Sequence, residues 1–261
     1  MLETVIPVVR LEGVIAAGRG LGGRALNLAS VELALTRAFS IRKAPCVAIV
    51  VNSPGGSPVQ SALIARRIRG LAEAKAKKAI VFIEDAAASG GYWLACAGDE
   101  VFADATSIVG SIGVIGGGFG FAEAMTRLGV ERRVHTAGRR KSQLDPFRPE
   151  SPEDVARLDR LLKALHGEFV DWVRARRGAR LKPHPDMFEG EVFTGREAVE
   201  LGLADALGDL NTVLRARFGE RVKLRTIGSA RSSLAQRLLG ATVEDLAGTL
   251  EARAYWARLN L

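Results

Sequence analysis

The chain has 261 residues, 48% hydrophobic and 25% charged, which is long enough for one large domain or two small ones and typical of a globular protein. Its net charge of +8 comes mainly from arginine, but few aromatic residues lie among the basic ones, so nucleic-acid binding has little support. The positive charge could instead attract anionic lipids or could serve only to keep the protein soluble. No segment reaches the roughly 18–20 consecutive apolar residues of a membrane span.

Hydrophobic patterning predicts strands that alternate with helices, which indicates an α/β fold. The long helix is predicted to begin after Ser151, because Pro152 and two acidic residues follow it. The predicted strands cover residues 5–11, 46–51, 79–84, 100–103, 112–115 and 131–136, and the predicted helices cover residues 29–41, 58–74, 89–97, 120–128, 152–176, 195–201 and 209–217.

Two of these strands end at glycine-containing turns that lead into helices. The first turn, residues 52–56, reads NSPGG, in which the proline favours an extended Ser53 and the glycines allow N–H groups to turn outward. The second turn, residues 86–91, reads AAASGG. Both would lie at the same edge of a parallel sheet, so that one could supply a nucleophile and the other an oxyanion donor. Two ordinary strand-to-helix turns are the alternative.

Ser89 is the candidate nucleophile in the second turn. A serine between a strand and a helix can expose its Oγ at the sheet edge, and the free N–H groups of the helix N-terminus can bind an oxyanion. The alternative is an ordinary N-cap, in which the serine side chain accepts a hydrogen bond from its own helix.

The three histidines offer no convincing general base. His135 falls on the predicted strand 131–136, where we expect a half-buried structural role. His166 fits the spacing of the long helix, and His184 lies between two prolines in a loop. A Ser-His-Asp triad is therefore not expected.

Lys141 is the remaining candidate base, in a loop that reads AGRRKSQ at residues 137–143. A lysine acts as a base only when it is neutral, and lowering its pKa from about 10.4 to about 7 requires burial against apolar surface or nearby like charge. On the residues alone, a solvated loop lysine is the alternative.

Four segments carry a resemblance to a known family: residues 51–56 (VNSPGG), 87–95 (AASGGYWLA), 108–114 (IVGSIGV) and 138–142 (GRRKS). In this order and spacing they resemble the signal peptide peptidase A family of serine–lysine proteases, within the Clp-protease/crotonase superfamily. The similarity extends over residues 5–222. It implies an α/β fold of repeated β-β-α units with a helical C-terminal extension.

The resemblance also implies roles for individual residues. Ser89 would be the nucleophile and Lys141 the general base, with Ser111 hydrogen-bonded to the lysine amine. The N–H groups of Gly56 and Gly90 would form the oxyanion hole, with Gly55 as an alternative to Gly56; for Ser111 the alternative is an ordinary turn serine.

The implied chemistry requires no metal or organic cofactor. Cys46 and Cys96 show no C-x-x-C or Cys/His spacing and are expected to be buried apolar residues. The glycine-rich stretch 116–120 matches no phosphate-binding pattern and is expected to be a loop near the site.

We expect a peptidase domain at residues 1–222, with its core at 44–205, and a C-terminal helical extension at 223–261. Residues 233–259 have apolar side chains at helical intervals, which favours an oligomer contact or a peripheral membrane helix. Residues 1–9 do not resemble a signal peptide, and the anchor of many family members is not seen, so a cytoplasmic or peripheral location is expected. The expected partners are peptides, such as signal peptides released in the membrane, and further copies of the chain, but not nucleic acid.

Two other functions compete with a peptidase. A crotonase-like acyl-CoA enzyme would use the same paired N–H groups together with a carboxylate, for which Glu84 and Asp85 are the candidates. A non-catalytic scaffold would keep the fold without needing the serine and the lysine.

Overall fold

The computed structural model describes residues 3–18 and 25–228, together with Trp256 and Leu259. The amphipathic stretch 233–259 otherwise lies outside the described residues. The chain divides into two compact units: the first combines the residues up to Gly113 with those from Phe169 onward, and the second is Val114–Glu168.

A mostly parallel sheet forms the centre of the first unit, as the α/β prediction requires. The strands are β1 Val5–Glu12, β2 Cys46–Ser53, β3 Lys78–Ala88, β4 Glu100–Ala103, β5 Ile108–Gly110, β6 Val192–Thr194, β7 Ala206–Leu207 and β8 Lys223–Thr226. Their order in the sheet is β6-β5-β3-β2-β1-β8, with β4 paired to both β3 and β7, and the pairing of β5 with β6 is antiparallel.

Most helices begin at residues suited to capping. Asn27 forms a capping box at the start of α1, and Ser57 accepts a hydrogen bond from the backbone of α2, which has proline in its first turn. Ser151 Oγ accepts from the Asp154 N–H at 3.3 Å where α5 begins. The helices are α1 Leu28–Phe39, α2 Pro58–Ala74, α3 Gly90–Ala95, α4 Ala122–Arg127, α5 Pro152–Arg177, α6 Gly195–Glu200 and α7 Leu210–Phe218. Within the described ranges, no helix combines the length and apolar character needed to cross a membrane.

Both faces of the sheet are buried, which explains the continuous apolar run of β2. Val47, Ile49 and Val51 face a core formed with α1, α2 and α3. The alternate residues of β2 face a second core, to which Leu214 of α7 contributes. Each fully buried side chain of this size contributes about 1.5–3 kcal/mol to folding, so this sheet is a rigid support for the turns at its edge.

A partly buried ion pair, between Arg177 and Asp205, joins the C-terminal part of α5 to the loop before β7. The Arg177 side chain is 1% exposed and donates to both carboxylate oxygens of Asp205 at 3.0 Å. Asp205 also accepts from the Val101 N–H at 2.7 Å. Burial disfavours the charged carboxylate of Asp205. The hydrogen bonds and positive charge of Arg177, together with hydrogen bonds from the Val101 N–H and the Arg180 side chain, outweigh this effect and hold the pKa of Asp205 below its ordinary value.

Two predicted strands are wrong, those at 112–115 and 131–136. β5 ends at Gly110, because Gly110 and Ser111 both have positive φ, at +108° and +50°, which turns the chain out of the sheet. Residues 131–136 read ERRVHT, in which three charged residues precede the apolar Val134, and no strand of the described residues pairs with them. His135 is accordingly exposed and outside any strand, not half-buried within one.

The sheet also includes short strands that were not predicted. β5, β6 and β7 have only two or three residues each, and β8 has four. Because β8 pairs with β1, residues 223–226, expected in the C-terminal extension, are part of the sheet.

Candidate active site

The two glycine-containing turns lie side by side at the carboxyl ends of β2 and β3, as their order in the sequence predicts. Ser53 at the end of β2 pairs with Ala87 of β3. A Cβ added to Gly55 would lie 2.8 Å from the Cβ of Ser89, from the Ala88 oxygen and from the Gly90 nitrogen. Gly55 also has a φ of +103°, so both its backbone conformation and its surroundings require glycine.

Ser89 has a backbone conformation that residues with side chains rarely adopt. Its φ is +51° and its ψ is −122°, and such strain, of order 1–3 kcal/mol, occurs mainly at functional sites. It precedes the first helical residue, Gly90, yet its side chain makes no capping hydrogen bond. The ordinary N-cap alternative therefore does not describe this serine, and the Oγ of this half-buried residue is available for other chemistry.

The backbones of Gly56 and Gly90 approach each other next to Ser89. A Cβ added to Gly90 would lie 3.4 Å from the Gly56 nitrogen. Among the backbone hydrogen bonds of the described residues, neither glycine N–H is a donor, whereas the Gly55 N–H donates to Ser53 Oγ at 3.2 Å. Neighbouring N–H groups without a protein acceptor can bind an oxyanion.

Ile15 supports this turn from a distant part of the sequence. Its N–H donates to the Gly55 oxygen at 2.8 Å, and its own oxygen accepts from the Ser57 N–H at 2.7 Å. A Cβ on Gly56 would lie 2.1 Å from the Ile15 oxygen, so the close approach requires glycine. No signal in the sequence indicated this role for Ile15.

Ser111 directly follows β5, just as Ser89 directly follows β3. Ala88 pairs with Gly110, and the Ser89 N–H donates to the Gly110 oxygen at 2.8 Å. Ser111 also has a positive φ, +50°, and its N–H donates to the Glu191 oxygen at 2.7 Å. The structure thus places the backbone of Ser111 next to that of Ser89.

Lys141 belongs to the second unit, whereas the other four candidate residues belong to the first. It is exposed and lies in a turn in which its N–H donates to the Gly138 oxygen at 3.1 Å. Gly138 has a φ of +100°, which explains a glycine at this position. Residues 116–120 of the same unit form an irregular exposed segment, as expected of a loop.

The carboxylates proposed for an acyl-CoA enzyme are both engaged by neighbouring side chains. Glu84 forms an ion pair with Arg10, which also binds Glu12. Asp85 accepts a hydrogen bond from the Asn52 amide at 2.5 Å. Each carboxylate therefore already has a partner among the neighbouring side chains.

Cys46 and Cys96 are buried and free, as predicted. Burial raises the pKa of the Cys46 thiol to about 11 and that of Cys96 to about 12. Across residues 3–18 and 25–228, no three His, Cys, Asp or Glu side chains are grouped so that they could hold a metal ion.

The fold and these turns agree with the comparison to known proteins. Residues 72–223 match the model of Peptidase family S49, which is more than half of the chain. The chain therefore belongs to this peptidase family, and the resemblance to the signal peptide peptidase A family is confirmed.

Individual relatives carry different names. The chain is 48% identical over 275 residues to a Brucella abortus protein named Na(+)/H(+) antiporter NhaA, covering 100% of this chain but 37% of the relative. It is 31% identical over 231 residues to a Synechocystis protein named as a protease, slr0021, covering 84% of this chain and 82% of the relative. It is 32% identical over 166 residues to an Enterococcus faecium protein named as a signal peptide peptidase, SppA, covering 62% of this chain and 47% of the relative.

A solved structure shares the fold. A mutant of the 1510-N membrane-bound stomatin-specific protease aligns with a TM-score of 0.51 at 13% identity, covering 89% of this chain and 100% of the other. At this identity the similarity shows the fold alone.

Proposed function

We propose that the chain is a serine endopeptidase that forms an acyl-enzyme on Ser89. The observation that carries the proposal is the strained, uncapped Ser89 beside two glycine N–H groups without protein acceptors. Membership of Peptidase family S49 supports peptide-bond hydrolysis as the reaction.

In the proposed mechanism, Lys141 acts as the general base that removes the proton from Ser89 Oγ, which attacks the peptide carbonyl. The N–H groups of Gly56 and Gly90 bind the oxyanion that develops. The C–N bond then breaks, Lys141 returns its proton to the leaving amine, and water hydrolyses the acyl-enzyme with Lys141 again as base. The role of Lys141, and that of Ser111 in orienting it, rest on the resemblance of residues 138–142 and 108–114 to the family.

Substrates and assembly are part of the proposal. We expect unfolded peptides, including signal peptides released in the membrane, to be cleaved, and we expect several copies of the chain to associate. Support for association comes from the second unit, in which Ile115, Phe119 and Leu128 are each at least 73% exposed. Leu128→Glu should lower the mass measured by sedimentation equilibrium, whereas Leu33→Glu, an exposed leucine of α1, should not.

The antiporter name of the Brucella relative is not carried over to this chain. The matched region is 37% of that protein, and residues 72–223 of this chain match a peptidase model. An acyl-CoA enzyme is disfavoured because Glu84 and Asp85 are engaged by Arg10 and Asn52.

Cleavage of a fluorogenic peptide library tests the proposal. Wild type should cleave peptides, while Ser89→Ala and Lys141→Ala should each be inactive with unchanged melting temperature and mass. The matched controls are Ser40→Ala, at an exposed serine after α1, and Lys182→Ala, at an exposed lysine.

The two variants test different parts of the mechanism. Activity in Ser89→Ala would overturn the serine mechanism, and activity in Lys141→Ala would overturn only the assignment of the base. A wild-type protein that cleaves no peptide in the library would count against the endopeptidase proposal.

A further inference from the structure

Ser53 is a buried serine at the end of β2 with no solvent exposure. Its Oγ donates to the Gly13 oxygen at 2.7 Å and accepts from the Gly55 N–H at 3.2 Å. A hydroxyl has one proton, so once the Ser53 hydroxyl donates to Gly13, its oxygen can only accept the hydrogen bond from the Gly55 N–H. One side chain thus joins the segment after β1 to the turn that contains Gly56.

The backbone of Ser53 also contacts the helix that follows Ser89. A Cβ on Gly91 would lie 2.4 Å from the Ser53 oxygen, which shows how closely the two backbones approach. In the sheet, Ser53 pairs with Ala87, two residues before Ser89, just after a register shift between Val51 and Ser53. Ser53 therefore lies between the nucleophile turn and the glycine turn and contacts both.

We propose that Ser53 is a positioning residue, whose hydroxyl fixes the Gly55 N–H and thereby sets the Gly56 N–H beside Ser89. The inference rests on the proposed serine peptidase function. Without the hydroxyl, the buried Gly55 N–H has no acceptor, and the turn must shift to find one. Such a shift would misplace the Gly56 N–H, which acts on the charge that develops in the transition state.

Ser53→Ala should therefore lower kcat more than it changes KM. Loss of an oxyanion donor lowers kcat about 10²–10³-fold, and displacement of a donor should lower it less, by about tenfold. Ser53→Cys, which keeps the shape of the side chain but weakens both hydrogen bonds, should give a smaller loss. Ser53→Thr, which keeps the hydroxyl, should restore kcat relative to Ser53→Ala.

Ser107→Ala is the matched control. Ser107 is also a buried serine of the same unit. Its Oγ donates to the backbone oxygen of Glu84 at 2.6 Å and accepts from the Asp104 N–H at 3.1 Å. Its loss should lower the melting temperature to a similar extent as Ser53→Ala but leave kcat at the wild-type value. A purely structural role for Ser53 predicts the same behaviour for both variants.

The experiment measures kcat, KM and melting temperature for wild type, Ser89→Ala and the four other variants with one peptide substrate. A wild-type kcat in Ser53→Ala overturns the inference, and so does a loss of kcat in Ser107→Ala that equals the loss in Ser53→Ala. In either case, an inactive Ser89→Ala leaves the proposed function standing. An active Ser89→Ala overturns the proposed function itself. If Ser53→Ala does not fold, Ser53→Cys decides, and a wild-type kcat in that variant overturns the inference.

Discussion

The Cβ of Ser89 lies 2.8 Å from the point that a Cβ on Gly55 would occupy. The turn after β2 therefore restricts the position of Ser89, and Ser89 in return leaves no space for a side chain at Gly55. Two strand ends far apart in the sequence thus define one site.

Gly55→Ala should consequently abolish peptidase activity. The added methyl group would collide with the backbone of Ala88 and Gly90, and alanine is strained at a φ of +103°. We expect kcat to fall at least about 100-fold, comparable to the loss of an oxyanion donor. Gly70→Ala should instead stabilise the fold by about 1 kcal/mol, because alanine favours the helix and a Cβ at this position of α2 would meet no atom within 4 Å beyond the neighbouring helix backbone. Near-wild-type kcat in Gly55→Ala would contradict the described turn.

Gly90 and Ser61 should be energetically coupled. A Cβ on Gly90 would lie 2.4 Å from Ser61 Oγ, which is buried and donates to the Ser57 oxygen at 2.9 Å. Gly90→Ala should therefore be destabilised, and Ser61→Ala should relieve part of that loss, with a coupling energy of about 1 kcal/mol. Urea denaturation of the four proteins of the double-mutant cycle measures it, and strict additivity would refute the contact.

The sequence predicted the long elements and the placement of the two glycine-containing turns at one sheet edge, because both depend on local patterns. Helix α2 has the bounds predicted for it, 58–74, since Ser57 and Pro58 mark its start and apolar spacing marks its face. Both turns lie at one sheet edge because parallel connections place them there. Ser89 was identified from its turn and from family resemblance.

The remaining features depend on contacts between distant residues. β6 has three residues and forms only against β5, more than 80 positions earlier, so its own sequence carries little signal. The contact of Ile15 with Gly56 and the free Ser89 side chain are likewise tertiary features. Residues 131–136 show the reverse case, in which the β-branched Val134 and Thr136 favour a strand that has no partner strand among the described residues.

Removal of the Asp205 charge should destabilise the protein in a pH-dependent way. Asp205→Asn removes the charged partner of the buried Arg177, and we expect a loss of about 3 kcal/mol at pH 7. The folded-state pKa of Asp205 is lowered, so its stabilisation is present above the unfolded-state pKa of about 3.9 and is lost as the pH falls through the folded-state value. The difference in unfolding free energy between wild type and variant should therefore be constant from about pH 7 to pH 5 and shrink below about pH 4.

Asp159→Asn is the control for this measurement. Asp159 pairs with Lys163 at 2.7 Å, but its side chain is 56% exposed, so its loss should change stability by less than about 1 kcal/mol. If Asp205→Asn and Asp159→Asn lower the free energy of unfolding equally in urea denaturation, the result would contradict the described ion pair of Asp205 with the buried Arg177.

The two cysteines should not react in the folded protein. Only the thiolate is nucleophilic, and burial raises the pKa values to about 11 for Cys46 and about 12 for Cys96. Iodoacetamide at pH 8 should leave both thiols unmodified, as measured by intact mass, whereas both should be alkylated in denaturing urea. Modification of either residue in the folded protein would contradict its burial.

The most direct test of the central claim is covalent labelling of the wild-type protein with a serine-directed fluorophosphonate, followed by mass spectrometry of its peptides. The account predicts one adduct, on Ser89, that is absent in Ser89→Ala and strongly reduced in Lys141→Ala, while Ser40→Ala is labelled like wild type. An adduct that persists in Ser89→Ala, or a wild-type Ser89 that stays unmodified while the protein cleaves peptides, would contradict the assignment of Ser89 as the nucleophile.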